Sequence, residues 1–183
     1  MKISKRKLRQ IIKEELEEDE NKLPQEQVDI LLNMINSRDE EQRNQAFEII
    51  KTTGLQGADL KGANLRFTKL DHINLSGADL SGADLYYAFL RDADLTGAKL
   101  TDADLSNSLL NRADLTGADL TGADLNLTRL SGADLSGVNL TGAKNLESSV
   151  HYRTYYNKET IWPVGFDPTK QTKYKIFIFK EDE

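Results

Sequence analysis

The chain has 183 residues, a formal net charge of −6 at pH 7 and no cysteine. The negative charge disfavours nonspecific nucleic-acid binding as the main activity, because phosphate contacts require a basic surface, and a protein partner is expected instead. Without cysteine there is no disulfide framework, thiolate nucleophile or cysteine zinc site, and no apolar run approaches the length of a membrane span, about eighteen residues, so we expect a soluble, cytoplasmic protein.

Residues 1–22 are predicted to form an amphipathic helix or arm. The segment from Ser4 to Glu20 is basic first and acidic later, an order that opposes the helix dipole and weakens an isolated helix, so we expect the helix to need a partner. One interpretation is a solvated helix or one docked on the body of the protein. The opening KISKRKLRQIIKEEL lacks the apolar region of a secretory signal. It resembles an N-terminal segment of proteins encoded by tailed phages, which implies a viral origin and a location in the host cytoplasm or the virion. One side of the helix carries Leu8, Ile11, Ile12 and Leu16.

Residues 23–54 are predicted to form two helices that cap the segment after them. Ser37 and Glu40 fit an S-x-x-E capping box that opens the second helix, and Gly54 suits its end. The first helix has an apolar stripe made of Val28, Leu31, Leu32 and Ile35. The second is expected to cover the edge of the next segment with Phe47, Ile49 and Ile50.

From Leu55 to Leu140 every fifth residue is leucine. A five-residue period fits neither a helical turn of about 3.6 residues nor the alternation of a straight strand, so the chain must turn a corner in each pentad. A small or β-branched residue stands two before each leucine, and both side chains are predicted to point into a narrow tube. Glycine is frequent two after the leucine, where it allows positive φ at the corner.

The run ADLTGADLTGADL, Ala113 to Leu125, resembles the A-(D/N)-L-x-x consensus of the pentapeptide-repeat proteins. The resemblance extends from Ala58 to Gly142, and it implies a right-handed quadrilateral β-helix with four pentads per coil, about four coils in all. We therefore predict an all-β solenoid over residues 55–142, with a helical N-terminal flank. Asn145 occupies the place of a leucine and breaks the pattern, so the solenoid is expected to end near Gly142.

Residues 143–183 are predicted to cap the other end. The segment YYNKETIWPVGFDP is similar to a tail that follows the solenoid in many pentapeptide-repeat proteins, and Trp162 and Phe166 are its large apolar groups, available to plug the last coil. The alternation in YKIFIFK predicts a short final strand. Its two faces would carry Ile176 and Ile178 on one side and Phe177 and Phe179 on the other.

Motifs for catalysis are sparse. The two histidines, His72 and His151, lie in different segments without a serine or carboxylate at a recognisable motif spacing, and phosphate-loop, HExxH and EF-hand patterns are lacking. We therefore expect a nonenzymatic protein without a cofactor or metal site.

Aspartates recur every twenty residues, for example Asp84, Asp104 and Asp124 on one face. One interpretation is that each carboxylate accepts backbone hydrogen bonds beside its corner. The alternative is a DNA mimic, since some members of the resembled family bind type II topoisomerases through an acidic surface. The short solenoid, the lack of a projecting loop between Ala58 and Gly142 and the modest charge of the repeat, twelve aspartates against seven Lys plus Arg, weigh against it.

The pentads that break the rule are themselves periodic: RFTKL, YYAFL, SNSLL and NLTRL follow one another at steps of twenty residues. Their unusual side chains are expected to face outward on one corner and to form an apolar, mildly basic strip. Such a strip on a soluble protein needs a cover. The chain's own flanks could supply it, or a second copy or another protein could dock there; a membrane or a small ligand is a lesser alternative. The strip consists of Arg66, Phe67, Lys69, Tyr86, Tyr87, Phe89, Leu109, Leu127 and Arg129.

Overall fold

A computed structural model of the chain describes residues 23–149, 151–170 and 176–180. Its main body is a coil in which one turn takes up four pentads, because parallel β-bridges join residues twenty positions apart. The bridged residues form four columns along the tube, and we name the four faces by the first residue of each column. They are face A (Asp59), face B (Asn64), face C (Lys69) and face D (Asn74). The arm predicted for residues 1–22 lies outside the described residues.

The corners of the coil follow from the pentad. The second residue after each leucine has positive φ in every pentad, from Gly57 at 59° to Gly142 at 65°. The side chain of the residue before the leucine stabilises the corner by accepting hydrogen bonds from it. In Asp79, for example, Oδ1 accepts hydrogen bonds from the amide of Ser81 at 3.2 Å and from its hydroxyl at 2.6 Å. A short carboxylate that satisfies the turning backbone explains why aspartate recurs at this position.

The predicted inward side chains fill the tube. The leucines that recur every fifth residue from Leu55 to Leu140 are at most 1% exposed, and the small residues between them are mostly alanines that are equally buried. On face C the small inward position holds a polar residue in some coils, and a leucine carbonyl accepts its hydrogen bond. The hydroxyls of Ser108 and Thr128 both donate to the carbonyl of Leu105, at 2.6 and 2.8 Å. The core is therefore a single apolar column that runs the length of the coil.

Two helices close the first edge. Helix α1 (Gln25–Ile35) packs against helix α2 (Glu40–Thr53), and the buried Ile49 and Ile50 of α2 belong to the same core as the first coil, with Phe47 partly buried against it. The side chain of Gln25 replaces a neighbouring strand at Asp59: it donates to the Asp59 carbonyl at 2.8 Å and accepts from the Asp59 amide at 3.1 Å.

The predicted capping box is wrong, although α2 does end at Gly54, where φ is 69°. Asp39, not Ser37, is the N-terminal cap, because its carboxylate directly precedes the helix and accepts from the amides of Glu41 and Gln42 at 3.0 and 3.4 Å. The hydroxyl of Ser37 instead accepts from the amide of Asp39.

The prediction that the solenoid ends near Gly142 is also wrong. The parallel pairing continues through Tyr155, which bridges Asp134, and Ile161, which bridges Asn139. Asn145 takes a left-handed conformation with φ of 58°, and Leu146, one residue late, still turns inward and is 1% exposed. The loss of the leucine pattern therefore makes the last coil irregular without ending it.

The C-terminal segment then adds two strands. Strand β1 (Tyr152–Tyr156) pairs in parallel with strand β2 (Ile176–Phe179), and short 3-10 helices span Leu146–Ser148 and Pro168–Lys170. Trp162 stacks on Phe166 with ring centroids 5.1 Å apart, and Phe177 meets Trp162 edge-on at 5.2 Å. All three aromatic residues are partly buried against the core at this end of the coil.

Candidate interaction face

The strip lies along the corner between faces B and C and continues onto face C. Four stacked corner positions, where glycine is the unstrained residue, hold larger side chains in this corner. Their φ values fall between 55° and 61°, in the left-handed region that side chains other than glycine, asparagine and aspartate rarely adopt. The four residues are Phe67, Tyr87, Asn107 and Leu127.

An aromatic cluster occupies the end of the strip near the helices. The rings of Phe67 and Tyr87 stack with centroids 5.6 Å apart, and Tyr86 meets both rings edge-on, at 5.7 and 4.7 Å. The guanidinium of Arg66 lies 4.3 Å from the centre of the Tyr86 ring and forms an ion pair with Asp84 at 2.8 Å. This hydrogen bond raises the pKa of Arg66 above its ordinary value. Arg66 and the three rings thus form one preformed cluster.

A groove follows the aromatic cluster. It has a volume of about 440 Å³ and lies between Tyr87 and Leu127, where the shorter Asn107 occupies the intervening corner. Phe89 and Leu109 of face C form its apolar floor, and Arg129 lies at its far end. Tyr87 is 43% exposed and Leu127 51%, so apolar surface remains on both sides of the groove.

The charge on face C differs from that on the other faces. Its column reads Lys69, Phe89, Leu109 and Arg129, without a carboxylate. The guanidinium of Arg91 lies 5.3 Å from the centre of the Phe89 ring. The strip therefore presents apolar groups with cations around them, beside a face B column that carries aspartates.

The described part of the C-terminal tail lies on other faces. Tyr155 bridges face D, Ile161 bridges face A, and the ammonium of Lys180 pairs with Asp134 on face D. At the far end of the strip the chain extends the corner by one step, where the hydroxyl of Ser148 accepts from the amide of Leu127 at 3.2 Å. Of the two flanks predicted as covers for the strip, the described tail is thus placed elsewhere.

The aspartates in the column of face B accept hydrogen bonds from the backbone at the corners. Oδ1 of each aspartate accepts from the amide two residues on, at 3.1 Å for Asp84, 2.9 Å for Asp104 and 2.9 Å for Asp124. Asp124 also accepts from the side-chain amide of Asn145 at 2.8 Å. These contacts match the structural interpretation of the aspartates, in which the carboxylates organise the backbone.

The two histidines have different surroundings. His72 is exposed, with Nδ1 3.9 Å from a carboxylate oxygen of Asp92. His151 and Ser149 are fully buried, and His151 Nε2 contacts the Ser149 hydroxyl and, at 3.1 Å, the carbonyl of Leu146. The sequence pattern does not reveal this pair, because the inward direction of both side chains depends on the irregular last coil. Being fully buried, the pair fills the core and is closed to a substrate.

Within residues 23–149, 151–170 and 176–180, no group of three or more His, Asp or Glu side chains is arranged to hold a metal ion. The helices of the same ranges include none of the length and apolarity that crossing a membrane requires.

Known proteins resemble the coil. The family model for pentapeptide repeats matches residues 58–97, 73–112, 90–126 and 108–144. A pentapeptide repeat protein of Nostoc PCC 7120, alr5209, is 32% identical; the match covers 58% of this chain and 84% of that chain, with a TM-score of 0.54. No curated protein sequence matches.

Two further solved structures are similar in sequence. Rfr23 from the cyanobacterium Cyanothece 51142 is 33% identical over 58% of this chain and 88% of that chain, with a TM-score of 0.39. HetL of Nostoc sp. strain PCC 7120, a protein involved in heterocyst differentiation regulation, is 30% identical over 60% of this chain and 58% of that chain, with a TM-score of 0.44. With its five-residue leucine period, its four-pentad coil and its 32% identity to alr5209 over 84% of that chain, the chain belongs to the pentapeptide repeat family.

Proposed function

We propose that the protein is a nonenzymatic interaction solenoid that docks a protein partner through the strip. The observation that carries the proposal is the placement of Phe67, Tyr87 and Leu127 at left-handed corners where each keeps a large part of its surface, between 43% and 60%, exposed to solvent. As the resemblances imply, we take the coil to be a right-handed β-helix and the protein to be encoded by a phage, acting in the host cytoplasm or the virion.

The backbone conformation supports the proposal, because these side chains are unfavourable for the coil itself. A left-handed residue other than glycine, asparagine or aspartate costs about 1–2 kcal/mol, and this corner carries the penalty at Phe67, Tyr87 and Leu127. The other corners of the same chain use glycine or polar residues, such as Gly117 and Asp102. Strain of this kind is retained where the strained residue has a function, and an outward aromatic row provides contact area for a partner.

The composition of the strip supports a protein partner. Aromatic and arginine side chains are enriched among the residues that contribute most to protein interfaces, and here Tyr86, Tyr87 and Arg66 are already packed together. A preformed cluster loses little side-chain entropy on binding. The groove beside it, about 440 Å³ in volume, accepts a few side chains of a partner segment.

The DNA-mimic alternative, binding to a type II topoisomerase, has weaker support. A mimic needs rows of carboxylates that are free to replace phosphates. Here Asp84 pairs with Arg66, Asp79 lies 3.4 Å from Lys61, and Asp92 accepts two hydrogen bonds from Arg112 at 2.6 and 2.7 Å. Cations that stand beside the carboxylates reduce the negative potential that such mimicry requires.

The test is affinity capture from host cells with the double variant Tyr87→Ser with Phe89→Asp, followed by mass spectrometry and by light scattering for self-association. We expect the double variant to lose the proteins, or the second copy, that the wild type retains. Gly117→Asp is the matched control, because it adds a carboxylate at a left-handed corner opposite the strip, where a new Cβ meets nothing within 4 Å. Capture that is equal in the wild type and the double variant would refute the proposal.

A further inference from the structure

We propose that the partner binds the strip through an extended acidic segment, in which an apolar residue has a carboxylate two positions before it and another two positions after it. The inference rests on the proposed function, because it names the chemistry of the partner that would dock on the same face. The segment would lie along face C, with its apolar side chain in the groove and its carboxylates on Lys69 and Arg129.

Face C carries two cations that no ion pair neutralises. Within the described chain neither Lys69 nor Arg129 pairs with a carboxylate, and both side chains are exposed. Three other cations beside the strip are already in ion pairs, namely Arg66 with Asp84, Arg91 with Asp71 and Arg112 with Asp92. Lys69 and Arg129 are therefore free to bind carboxylates of a partner, and the guanidinium can do so with two parallel hydrogen bonds.

The distance between the two cations selects the spacing of the segment. Parallel bridges join Lys69, Phe89, Leu109 and Arg129 in this order, so the cations are three coil steps apart, about 14 Å at the usual strand spacing. In an extended segment the first, third and fifth side chains point to the same side, and the first and fifth are about 13 Å apart. Carboxylates at the first and fifth positions thus reach both cations, while the third side chain lies over Phe89 and Leu109.

The middle of the groove suits an extended backbone. Asn107 lies there between Tyr87 and Leu127, and its half-buried side-chain amide makes no hydrogen bond to a described residue. This amide can donate to a backbone carbonyl and accept from a backbone N–H, and an extended segment carries both groups unpaired. A helix pairs most of these groups internally, so Asn107 favours the extended form.

The size and shape of the strip favour a segment over a second folded surface. Phe67, Tyr87 and Leu127 are 60%, 43% and 51% exposed, which leaves roughly 300 Å² of surface if a large side chain has about 200 Å². A globular partner usually buries about 800 Å² on each side, and more than half of that area is apolar. The strip also follows a convex corner of the tube, which a flat surface touches along a line and a flexible segment can follow.

The carboxylates of face B keep the segment on face C. Asp104 and Asp124 lie on the other side of the corner and form no ion pair within the described chain, so they would repel a carboxylate placed over the corner. A basic segment would be attracted to face B instead. That column, from Asn64 through three aspartates to Lys144, holds no apolar side chain. Positive charge and apolar surface coincide on face C, and this combination calls for an acidic, apolar segment.

The test is an NMR titration of the full, isotope-labelled chain with two synthetic peptides of the same composition. In GSESFSESG the glutamates stand two residues from the phenylalanine, whereas in GSSEFESSG they are adjacent to it and point to the opposite side of an extended chain. We expect the first peptide to bind about fivefold or more tightly than the second, the effect of two exposed ion pairs. It should shift the amide signals of Phe89, Leu109 and Arg129.

Single variants show whether the two cations are responsible. Lys69→Gln and Arg129→Gln should each weaken binding of the first peptide by about twofold or more, since each removes one exposed ion pair. Lys99→Gln is the matched control, because it removes one cation from face A, opposite the strip, and changes the net charge equally. Equal affinity of the two peptides, or equal weakening by the control, would overturn the inference, since binding would then follow total charge alone.

The outcomes separate this inference from the proposed function. If the first peptide does not bind, or binds undiminished to Tyr87→Ser with Phe89→Asp, the acidic segment is refuted, and the capture experiment decides the docking function independently. A wild-type dimer that this double variant dissociates, with no peptide bound, assigns the strip to a second copy and also refutes the segment. Conversely, spacing-dependent binding at the strip, together with capture that the double variant leaves unchanged, supports the chemistry assigned to the face and refutes the docking function.

Discussion

The ring of Tyr87 stacks on the ring of Phe67 from the preceding coil, with centroids 5.6 Å and planes 15° apart, although both residues stand at strained left-handed corners. One coil beyond Tyr87 the same corner holds Asn107, and the next holds Leu127, so the stack ends and the groove begins. This change from an aromatic stack to a short polar side chain gives the strip its shape.

Leu127 and Leu125 are two residues apart but contribute differently to stability. Leu125 is fully buried, and Leu125→Ala should lower the free energy of unfolding by about 2–5 kcal/mol through cavity formation. Leu127→Gly should change it by less than about 1 kcal/mol, because lost contacts are offset by relief of the left-handed strain. Chemical denaturation of both variants measures the difference. Equal destabilisation would show that Leu127 is buried under another part of the chain.

The inward assignment is tested at Leu105, which is fully buried near the middle of the tube. Leu105→Asp should abolish cooperative unfolding near physiological temperature, since a buried, unpaired carboxylate costs several kcal/mol, roughly the stability of a small domain. Circular dichroism during thermal melting is the measurement. A cooperative melt at the wild-type temperature would contradict the inward position of the leucines.

The aspartates of face B are predicted to stabilise the corners through the hydrogen bond that Oδ1 accepts, and not through their negative charge. Replacing Asp84, Asp104 and Asp124 together by asparagine should leave the melting temperature nearly unchanged, since Asn139 already closes a corner in this way, accepting from the amide of Thr141 at 3.0 Å. The triple alanine variant should lose about 1 kcal/mol per corner. Neither the wild type nor the triple asparagine variant should alter supercoiling by gyrase. Inhibition by the wild type that disappears in the triple asparagine variant would favour the DNA mimic.

Acid should weaken the fold only below about pH 4. Hydroxyl hydrogen bonds from Ser81 and Thr121 lower the pKa values of Asp79 and Asp119, and a hydroxyl hydrogen bond from Thr169 lowers that of Asp167 to about 2. A depressed folded-state pKa contributes stability that is complete above the unfolded value, about 3.9, and is lost as the pH falls through the folded one. Melting temperatures from pH 7 to pH 2 should therefore be nearly constant at first and then fall. A steady decline from pH 7 to pH 5 would contradict this assignment.

Much of the coil could be predicted from the sequence because its rules are local. Each pentad carries its own inward leucine, its own corner and its own carboxylate, so the positions of Leu105 and Asp84 follow from counting. The outward direction of Tyr87 and Leu127 follows from the same count.

The errors arose where the outcome depends on longer-range contacts or on a choice between neighbouring residues. Ser37 and Asp39 both suit a helix cap, and which one caps is decided by where the first turn of α2 begins. The coil continues beyond Gly142 because Asn145 can take a left-handed conformation and so bring Leu146 inward, which no repeat pattern shows. The groove was not predicted either, since its depth depends on the size of Asn107 relative to the coils on both sides.

The central claim is that another polypeptide contacts the strip, and site-specific photocrosslinking in host cells tests it most directly. A benzoylphenylalanine at position 87 keeps an aromatic ring on the strip, and the same group at position 114, an exposed site on face D, is the control. Adducts are then identified by mass spectrometry. We predict an adduct with a second polypeptide from position 87 and none from position 114. Adducts confined to the same chain, or formed equally from both positions, would contradict the account.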